Sequence, residues 1–169
     1  MEALRERDPS VKAVLVLAGT ALPIYAADQM TKAVVAANLA VGERVAVIGD
    51  LLQIWHARNS GAAFSLFRGE LWLFLTVTAA ALVMIAYFHV SLRGRGLWLQ
   101  AVLGMILAGA LGNLTDRLRQ GEVVDFVSVG IGDLRWPTFN VADSAVVVGI
   151  LILVVYLTLA DRRSRREAA

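Results

Sequence analysis

The chain has 169 residues, of which 58% are hydrophobic, and its mean hydropathy is +0.66. This composition is too apolar for an ordinary soluble domain and predicts one integral-membrane domain, residues 1–169. The chain has no cysteine, which excludes a disulfide framework, a thiol nucleophile and a cysteine-based metal site.

Four apolar stretches meet or approach the requirement of about 20 residues for a helix that crosses roughly 30 Å of hydrocarbon. They run from Val14 to Ala37, Leu71 to Phe88, Leu97 to Leu114 and Val141 to Ala160. The first stretch carries Asp28 and Lys32 in its outer turns, so these turns are not expected to face bare lipid. Pro23 in the same stretch predicts a kink or a local packing adjustment. The fold class expected is therefore an all-α membrane protein of four transmembrane helices.

Arginines near the ends of the spans predict the orientation. Arg93 and Arg95 lie in the link between the second and third spans, and the tail after Asp161 carries four more arginines. The positive-inside rule places both segments, and hence both termini, in the cytoplasm. The formal charge of +2 and the pI near 9.4 are explained by these flanks, so no nucleic-acid partner is expected.

The two longer connections then lie outside the cytoplasm. In the first, apolar runs on either side of Gly49-Asp50 predict a small hairpin or curled sheet, an outer cradle spanning about 43–68. The second, Thr115 to Asn140, is predicted as a long outer loop or short helix whose conformation at 127–138 is left open. A stripe of small residues from Gly104 to Gly112 allows close helix contact, either inside a monomer, which is the preferred interpretation, or across a dimer.

Four polar segments stand at the outer ends of the predicted helices. They are Asp28 to Lys32, Asn59 to Phe64, Gly112 to Arg117 and Asn140 to Ser144. All four fall on one side of the membrane, which makes a single site plausible. His56 and His89 fall on opposite sides in this topology, so no metal site is predicted.

Asp125 and Asp143 flank the loop before the last span, and ionisable groups at membrane depth indicate function. Two carboxyl groups brought together in a low-dielectric site share one proton, because both cannot be ionised at once. The ionised group can then activate water and the protonated one can assist the leaving amine, which predicts hydrolysis without metal or cofactor.

Structural roles are the alternatives for these acids. Asp143 is also favoured at a helix N-terminus by the dipole, and Asp125 is also explained as a loop carboxylate paired with Arg117 or Arg119. Asp28 and Lys32 are spaced for a local ion pair on one helix face.

The remaining polar residues of these segments also have two interpretations. Asp116 either pairs within the chain or holds a substrate backbone, and Arg117 is suited to bidentate contact with oxygens. Asn59, Asn113 and Asn140 can grip an extended peptide, and helix capping is the alternative for the last two.

Taken together, the segments GALGNLTDRLRQGEVVDF and FNVADS, with those at Asp28 and Asn59, closely resemble the bacterial prolipoprotein signal peptidases, or signal peptidase II. The resemblance covers essentially the whole chain. It implies an inner-membrane aspartic endopeptidase that cleaves before a diacylglyceryl-modified cysteine, with its active site near the outer face.

The resemblance also implies roles for individual residues. Asp125 and Asp143 correspond to the catalytic dyad. Substrate-binding roles are implied for Asn59, Gly61, Asn113, Arg117 and Asn140. Supporting roles are implied for Asp28, Lys32, Asp116, Ala142 and Ser144. Diacylglyceryl-prolipoproteins, membrane lipids and globomycin-type inhibitors are the implied partners of an expected monomer.

Two other classes compete with this interpretation. A small proton-coupled transporter would use the same acids as a relay, but it is expected to show inverted repeats or broken helices, and neither is visible. A membrane assembly factor would use the small-residue stripe and would not need the carboxylates.

Overall fold

The computed structural model describes residues 8–61 and 70–167. Within these ranges, four helices have the length and composition to cross a membrane. They are α1 (Pro9–Asn38), α2 (Leu71–Ser91), α3 (Leu97–Gln120) and α4 (Val141–Glu167). Four strands, β1 (Arg44–Ile48), β2 (Leu52–Asn59), β3 (Val123–Ile131) and β4 (Leu134–Arg135), form one antiparallel sheet in that order. The predicted fold class is confirmed.

Helix α3 lies at the centre of the bundle and packs against the other three helices. Its residues Leu99, Leu103 and Ile106 are buried in an apolar core with Ile85 of α2 and Leu153 of α4. The polar side chains of α3 are concentrated in its last turns, next to the sheet. The apolar core therefore occupies one end of the bundle and the polar groups the other.

The small-residue stripe of α3 is used inside the chain. At Gly104 an added Cβ would lie 2.6 Å from the carbonyl oxygen of Leu17 in α1. At Gly109 an added Cβ would collide with the carbonyl oxygen of Ala142 in α4. Glycine thus lets both neighbouring helices approach the α3 backbone, in agreement with the intrachain interpretation of the stripe.

The prediction of a long loop from Thr115 to Asn140 is wrong. Helix α3 continues to Gln120, Gly121 ends it in the left-handed conformation with φ 77°, and β3 begins two residues later. Strand β3 is rich in β-branched residues and pairs with β2. The sheet is therefore larger than the hairpin predicted from the first connection alone. Of the predicted cradle, residues 62–68 lie outside the described ranges.

The segment before α4 is fastened to β3. Phe139 forms an isolated antiparallel bridge with Val127, with N–H to O distances of 3.1 and 2.8 Å in the two directions. The N–H of Phe126 also donates to the carbonyl of Phe139 over 3.0 Å. These bonds place Asn140 and the first turn of α4 beside the part of β3 that carries Asp125.

Candidate active site

Asp125 lies in the middle of the sheet rather than in a loop. Strand β3 pairs it with Ala57 of β2, and its residue surface is only 1% exposed. One carboxylate oxygen accepts from Nδ2 of Asn59 and the other from Nδ2 of Asn140, each over 2.8 Å. The alternative of a loop carboxylate held by an arginine is therefore wrong, because two asparagines supply the donors.

Asp143 lies in the first turn of α4 and forms a capping box with Asn140. The backbone N–H of Asp143 donates to Oδ1 of Asn140 over 2.9 Å, and the backbone N–H of Asn140 donates to Oδ2 of Asp143 over 3.1 Å. The other carboxylate oxygen accepts from Nδ2 of Asn113 on α3 over 2.7 Å. Asp143 thus has the predicted role at the start of the helix, and the same hydrogen bonds hold its carboxylate near Asp125.

Asn140 connects the two aspartates. It is completely buried, and its side-chain nitrogen Nδ2 donates to Asp125. Its side-chain oxygen Oδ1 accepts from the backbone N–H of Asp143, and its own backbone N–H donates to the carboxylate of Asp143. The predicted capping role of Asn140 is confirmed. Ser144 adds to this turn, since its hydroxyl donates to the backbone carbonyl of Asn140 over 2.9 Å.

The proximity of the two carboxyl groups alters the acidity of Asp125. Its pKa is raised from 3.8 to about 7, first by burial and second by the negative charge of Asp143. The hydrogen bonds from Asn59 and Asn140 and the charge of Lys32 oppose this rise. Near neutral pH the pair can therefore hold a single proton, which is the state that acid–base hydrolysis by two carboxyl groups requires.

The predicted ion pair between Asp28 and Lys32 is confirmed, with Nζ 2.8 Å from Oδ2. Asp116 joins the pair at 2.9 Å, so the interpretation in which it binds within the chain is the one the structure bears out. All three charged residues are buried. Gln29, which the sequence did not single out, donates to Asp28 and Asp116 over 3.2 and 3.1 Å.

A cleft of 540 Å³ opens onto both aspartates. Its polar wall includes Asn59, Gly61, Asn113, Arg117 and Ser144. Its apolar wall consists of Trp136, Phe139, Val147 and Val148, together with Val123 and the segment at Pro137 and Thr138. The sequence does not predict the apolar wall as part of a site, because single apolar residues at a membrane surface carry no distinguishing signal.

Arg117 stands at the edge of the cleft. Its guanidinium lies 4.4 Å from the ring centroid of Phe74 and donates to the carbonyl of Gly61 over 3.4 Å. The N–H of Gly61 in turn donates to Oδ1 of Asn59 over 3.0 Å. The arginine is therefore stacked in place with donor capacity left for a ligand in the cleft.

Ala142 explains how closely the helices meet beneath the site. Its side chain is completely buried, and its N–H donates to Oδ1 of Asp28 over 2.9 Å. At Gly112 an added Cβ would lie 2.6 Å from Oδ2 of Asp28. The small residues Gly112 on α3 and Ala142 on α4 thus leave room for the carboxylate of Asp28, which extends from α1.

Comparison with known proteins gives one consistent result. The sequence model of the family described as Signal peptidase (SPase) II matches residues 20–159. The lipoprotein signal peptidase of Bacillus subtilis (strain 168) is 37% identical over 147 residues, covering 87% of this chain and 96% of that protein. That of Staphylococcus haemolyticus (strain JCSC1435) is 37% identical over 145 residues, covering 86% and 91%. A bacterial membrane enzyme structure, determined in meso at 2.3 Å resolution, aligns with a TM-score of 0.77 at 32% identity, covering 86% of this chain and 87% of that one.

Proposed function

Because the chain belongs to the signal peptidase II family, we propose that Asp125 and Asp143 form the catalytic dyad of a lipoprotein signal peptidase. The protein is a membrane protease that removes signal peptides from prolipoproteins, and it is a multi-pass protein of the bacterial inner membrane. The observation that carries the dyad proposal is Asn140, which hydrogen-bonds to both carboxyl groups, and these line one open cleft.

The proposed reaction needs only the dyad and one water. The ionised carboxylate accepts a proton from water while the oxygen of that water attacks the scissile carbonyl carbon. The protonated carboxyl group donates a hydrogen bond to the carbonyl oxygen of the substrate. The tetrahedral intermediate then collapses, the C–N bond breaks, and the leaving amine takes a proton from the dyad. The products are a new carboxyl terminus and a new amino terminus, with the dyad returned to its single-proton state.

We propose that the cleft binds a prolipoprotein next to a diacylglyceryl-modified cysteine, with cleavage just before that residue. Arg117 and Gly61 are suited to hold the peptide backbone, and Val147 and Val148 offer an apolar wall for lipid or signal-peptide side chains. Asn59 and Asn113 line the same cleft, and the amides of these two residues and of Asn140 donate to the two carboxylates.

The proposed orientation puts the active site near the outer face of the membrane and both termini in the cytoplasm. Arg93 and Arg95 form a turn of 3₁₀ helix between α2 and α3, at the opposite end of α3 from the sheet, which supports this orientation. We further propose that globomycin-type inhibitors occupy the cleft of a monomeric enzyme. The comparisons give no support to the transporter interpretation.

The test is cleavage of a purified diacylglyceryl-modified prolipoprotein by the purified full-length protein, followed on a gel. Asp125→Asn and Asp143→Asn should each abolish the shortened product, because asparagine keeps the size of the side chain but cannot exchange a proton. Asp133→Asn is the matched control, since Asp133 is an exposed carboxylate in the turn between β3 and β4. Substantial turnover by either dyad variant would remove that residue from the chemistry.

A further inference from the structure

Three charged residues behind the dyad form a buried cluster, which we call the Lys32 cluster: Asp28, Lys32 and Asp116. The ammonium nitrogen of Lys32 lies 2.8 Å from Asp28, 2.9 Å from Asp116 and 2.9 Å from Oδ1 of Asn113. An ammonium group has three donors, so all of them are used inside the protein. Among the described residues, those that line the cleft do not include the three members of the cluster. A direct substrate contact therefore does not explain it.

Each carboxylate of the cluster also anchors one catalytic segment. Oδ2 of Asp116 accepts the backbone N–H of Val124 over 3.2 Å, and Val124 directly precedes Asp125. Oδ1 of Asp28 accepts the backbone N–H of Ala142 over 2.9 Å, and Ala142 directly precedes Asp143. The residue before each member of the dyad is thus bound to the same three-residue cluster.

Lys32 also determines which way the amide of Asn113 faces. Because an ammonium group can only donate, the atom of Asn113 that faces it must be the oxygen Oδ1. The amide nitrogen of Asn113 is then directed at Asp143, to which it donates over 2.7 Å. The reverse orientation would set two donors against each other at Lys32 and two acceptors against each other at Asp143.

We propose that the Lys32 cluster is a positioning device that sets the separation and orientation of the two catalytic carboxyl groups. The proposal rests on the dyad assignment made above. Burial of an ion cluster adds little to stability compared with apolar packing of the same volume, so stability alone does not account for three charges here. The three charges are explained if they anchor the backbone N–H groups beside both aspartates, because the rate of acid–base catalysis falls steeply when the reacting groups are misplaced.

The test is a set of substitutions at Asp116, in the full-length protein with a diacylglyceryl-modified prolipoprotein as substrate. Asp116→Leu removes the acceptor for Val124 but leaves the pair of Asp28 and Lys32, so the two charges that remain in the cluster balance each other. It should lower kcat by about 10- to 100-fold and leave KM unchanged. Asp116→Asn keeps an oxygen that can accept from Val124 and should recover a large part of kcat.

Two further variants complete the experiment. Lys32→Met removes the donor that orients Asn113 and should also lower kcat at unchanged KM. Thermal unfolding checks whether this variant folds. If the Lys32→Met protein does not fold, Asp116→Leu provides the test. Arg165→Met is the matched control, because it breaks an exposed ion pair of 2.9 Å with Asp161 on the tail of α4. This control should cleave at the wild-type rate.

The outcomes separate the two proposals. Wild-type kcat for a folded Asp116→Leu protein, with Asp125→Asn inactive in the same assay, would overturn the role of the cluster and leave the dyad intact. A loss of kcat that only follows a loss of folded protein would overturn it too. Turnover by Asp125→Asn would overturn the dyad and the positioning role together.

Discussion

Asn140 and Asp143 bind each other twice, through a backbone N–H to carboxylate bond of 3.1 Å and a backbone N–H to amide oxygen bond of 2.9 Å. This reciprocal pair uses the oxygen of the Asn140 side chain and leaves its NH₂ group to point at Asp125, 2.8 Å away. A serine or aspartate would cap the helix equally well, but an ionised aspartate has no donor, and serine has only a hydroxyl on a side chain shorter than that of asparagine. Asparagine at this position therefore both caps the N-terminus of α4 and orients the carboxylate of Asp125 relative to Asp143.

The first prediction follows from this double role. Asn140→Ser should keep the cap of α4 and lose the donor to Asp125. A hydrogen bond to a charged group contributes about 1.5–3 kcal/mol, which corresponds to roughly a 10- to 100-fold fall in kcat. Steady-state kinetics and thermal unfolding measured on the same samples check this, and a serine variant with wild-type kcat would show that Asp125 needs no such alignment.

The second prediction concerns pH. Asp125 has a pKa raised to about 7 by burial and by Asp143, so the shared proton should be lost as the pH rises through that value. We expect kcat/KM to fall about tenfold for each further pH unit. Initial rates between pH 5 and 9 measure this, and a rate that is flat to pH 9 would contradict it.

The same pKa predicts the direction of the change in stability. The folded state binds the Asp125 proton more tightly than the unfolded chain, whose ordinary pKa is 3.8. This contribution to stability is therefore fully present below that value and is lost as the pH rises through about 7. The melting temperature should fall between pH 5 and 8, and the fall should be smaller in Asp125→Asn, which has no proton to lose at this position.

The sequence is sufficient for the parts of the molecule that depend on composition and local spacing. The length of the apolar runs predicts four spans, and the four-residue interval between Asp28 and Lys32 predicts their ion pair. The polar segments at one end of the spans indicate a single site, although they do not indicate which atoms meet.

The parts that could not be predicted depend on pairing between distant segments. The sequence predicts a loop or short helix from Thr115 to Asn140, whereas pairing of β3 with β2 places Asp125 in a sheet. The third member of the Lys32 cluster, Asp116, is brought to Lys32 only by the packing of α1 on α3. The bridge between Val127 and Phe139, which brings Asn140 to Asp125, has no local signal in the sequence.

The third prediction tests the packing of α3 on α4. In Gly109→Ala the new methyl group would overlap the carbonyl oxygen of Ala142 and the side chain of Val146. Overpacking of this kind costs about 1–3 kcal/mol. Asn113 is one helical turn further along α3, so the displacement should also weaken its bond to Asp143. We expect a lower melting temperature together with a lower kcat.

Gly19→Ala is the matched control for this substitution. Gly19 lies within α1, and an added Cβ there would have nothing within 4 Å. Its melting temperature and activity should equal or exceed those of the wild type, because alanine favours the helix. If both glycine variants behaved alike, close contact at Gly109 would not be needed to hold the site together.

The fourth prediction concerns orientation and uses the absence of native cysteine. Asp133→Cys places a thiol in the exposed turn beyond β3, and Arg95→Cys places one in the link between α2 and α3. A maleimide that cannot cross membranes should label the first in intact spheroplasts and the second only after permeabilisation. The opposite labelling pattern would put the dyad on the cytoplasmic face and contradict the proposed topology.

The fifth prediction concerns the lipid on the substrate. Trp136, Val147 and Val148 line the cleft, and their exposed fractions are 67%, 56% and 45%, so an acyl chain would find apolar surface directly beside the dyad. Burial of each CH₂ group contributes about 0.8 kcal/mol, and the unlipidated precursor, which lacks these groups, should be cleaved far more slowly.

Arg117→Ala separates the contribution of the lipid from that of the peptide. Since Arg117 holds backbone rather than acyl chain in this proposal, the variant should lower kcat/KM for both precursors by a similar factor and leave the cut site unchanged. Competition between lipidated and unlipidated precursors in one reaction, read by mass spectrometry of the products, measures both effects. Equal kcat/KM for the two precursors would indicate that the apolar wall binds the signal peptide alone, and the cleft would then recognise sequence rather than lipid.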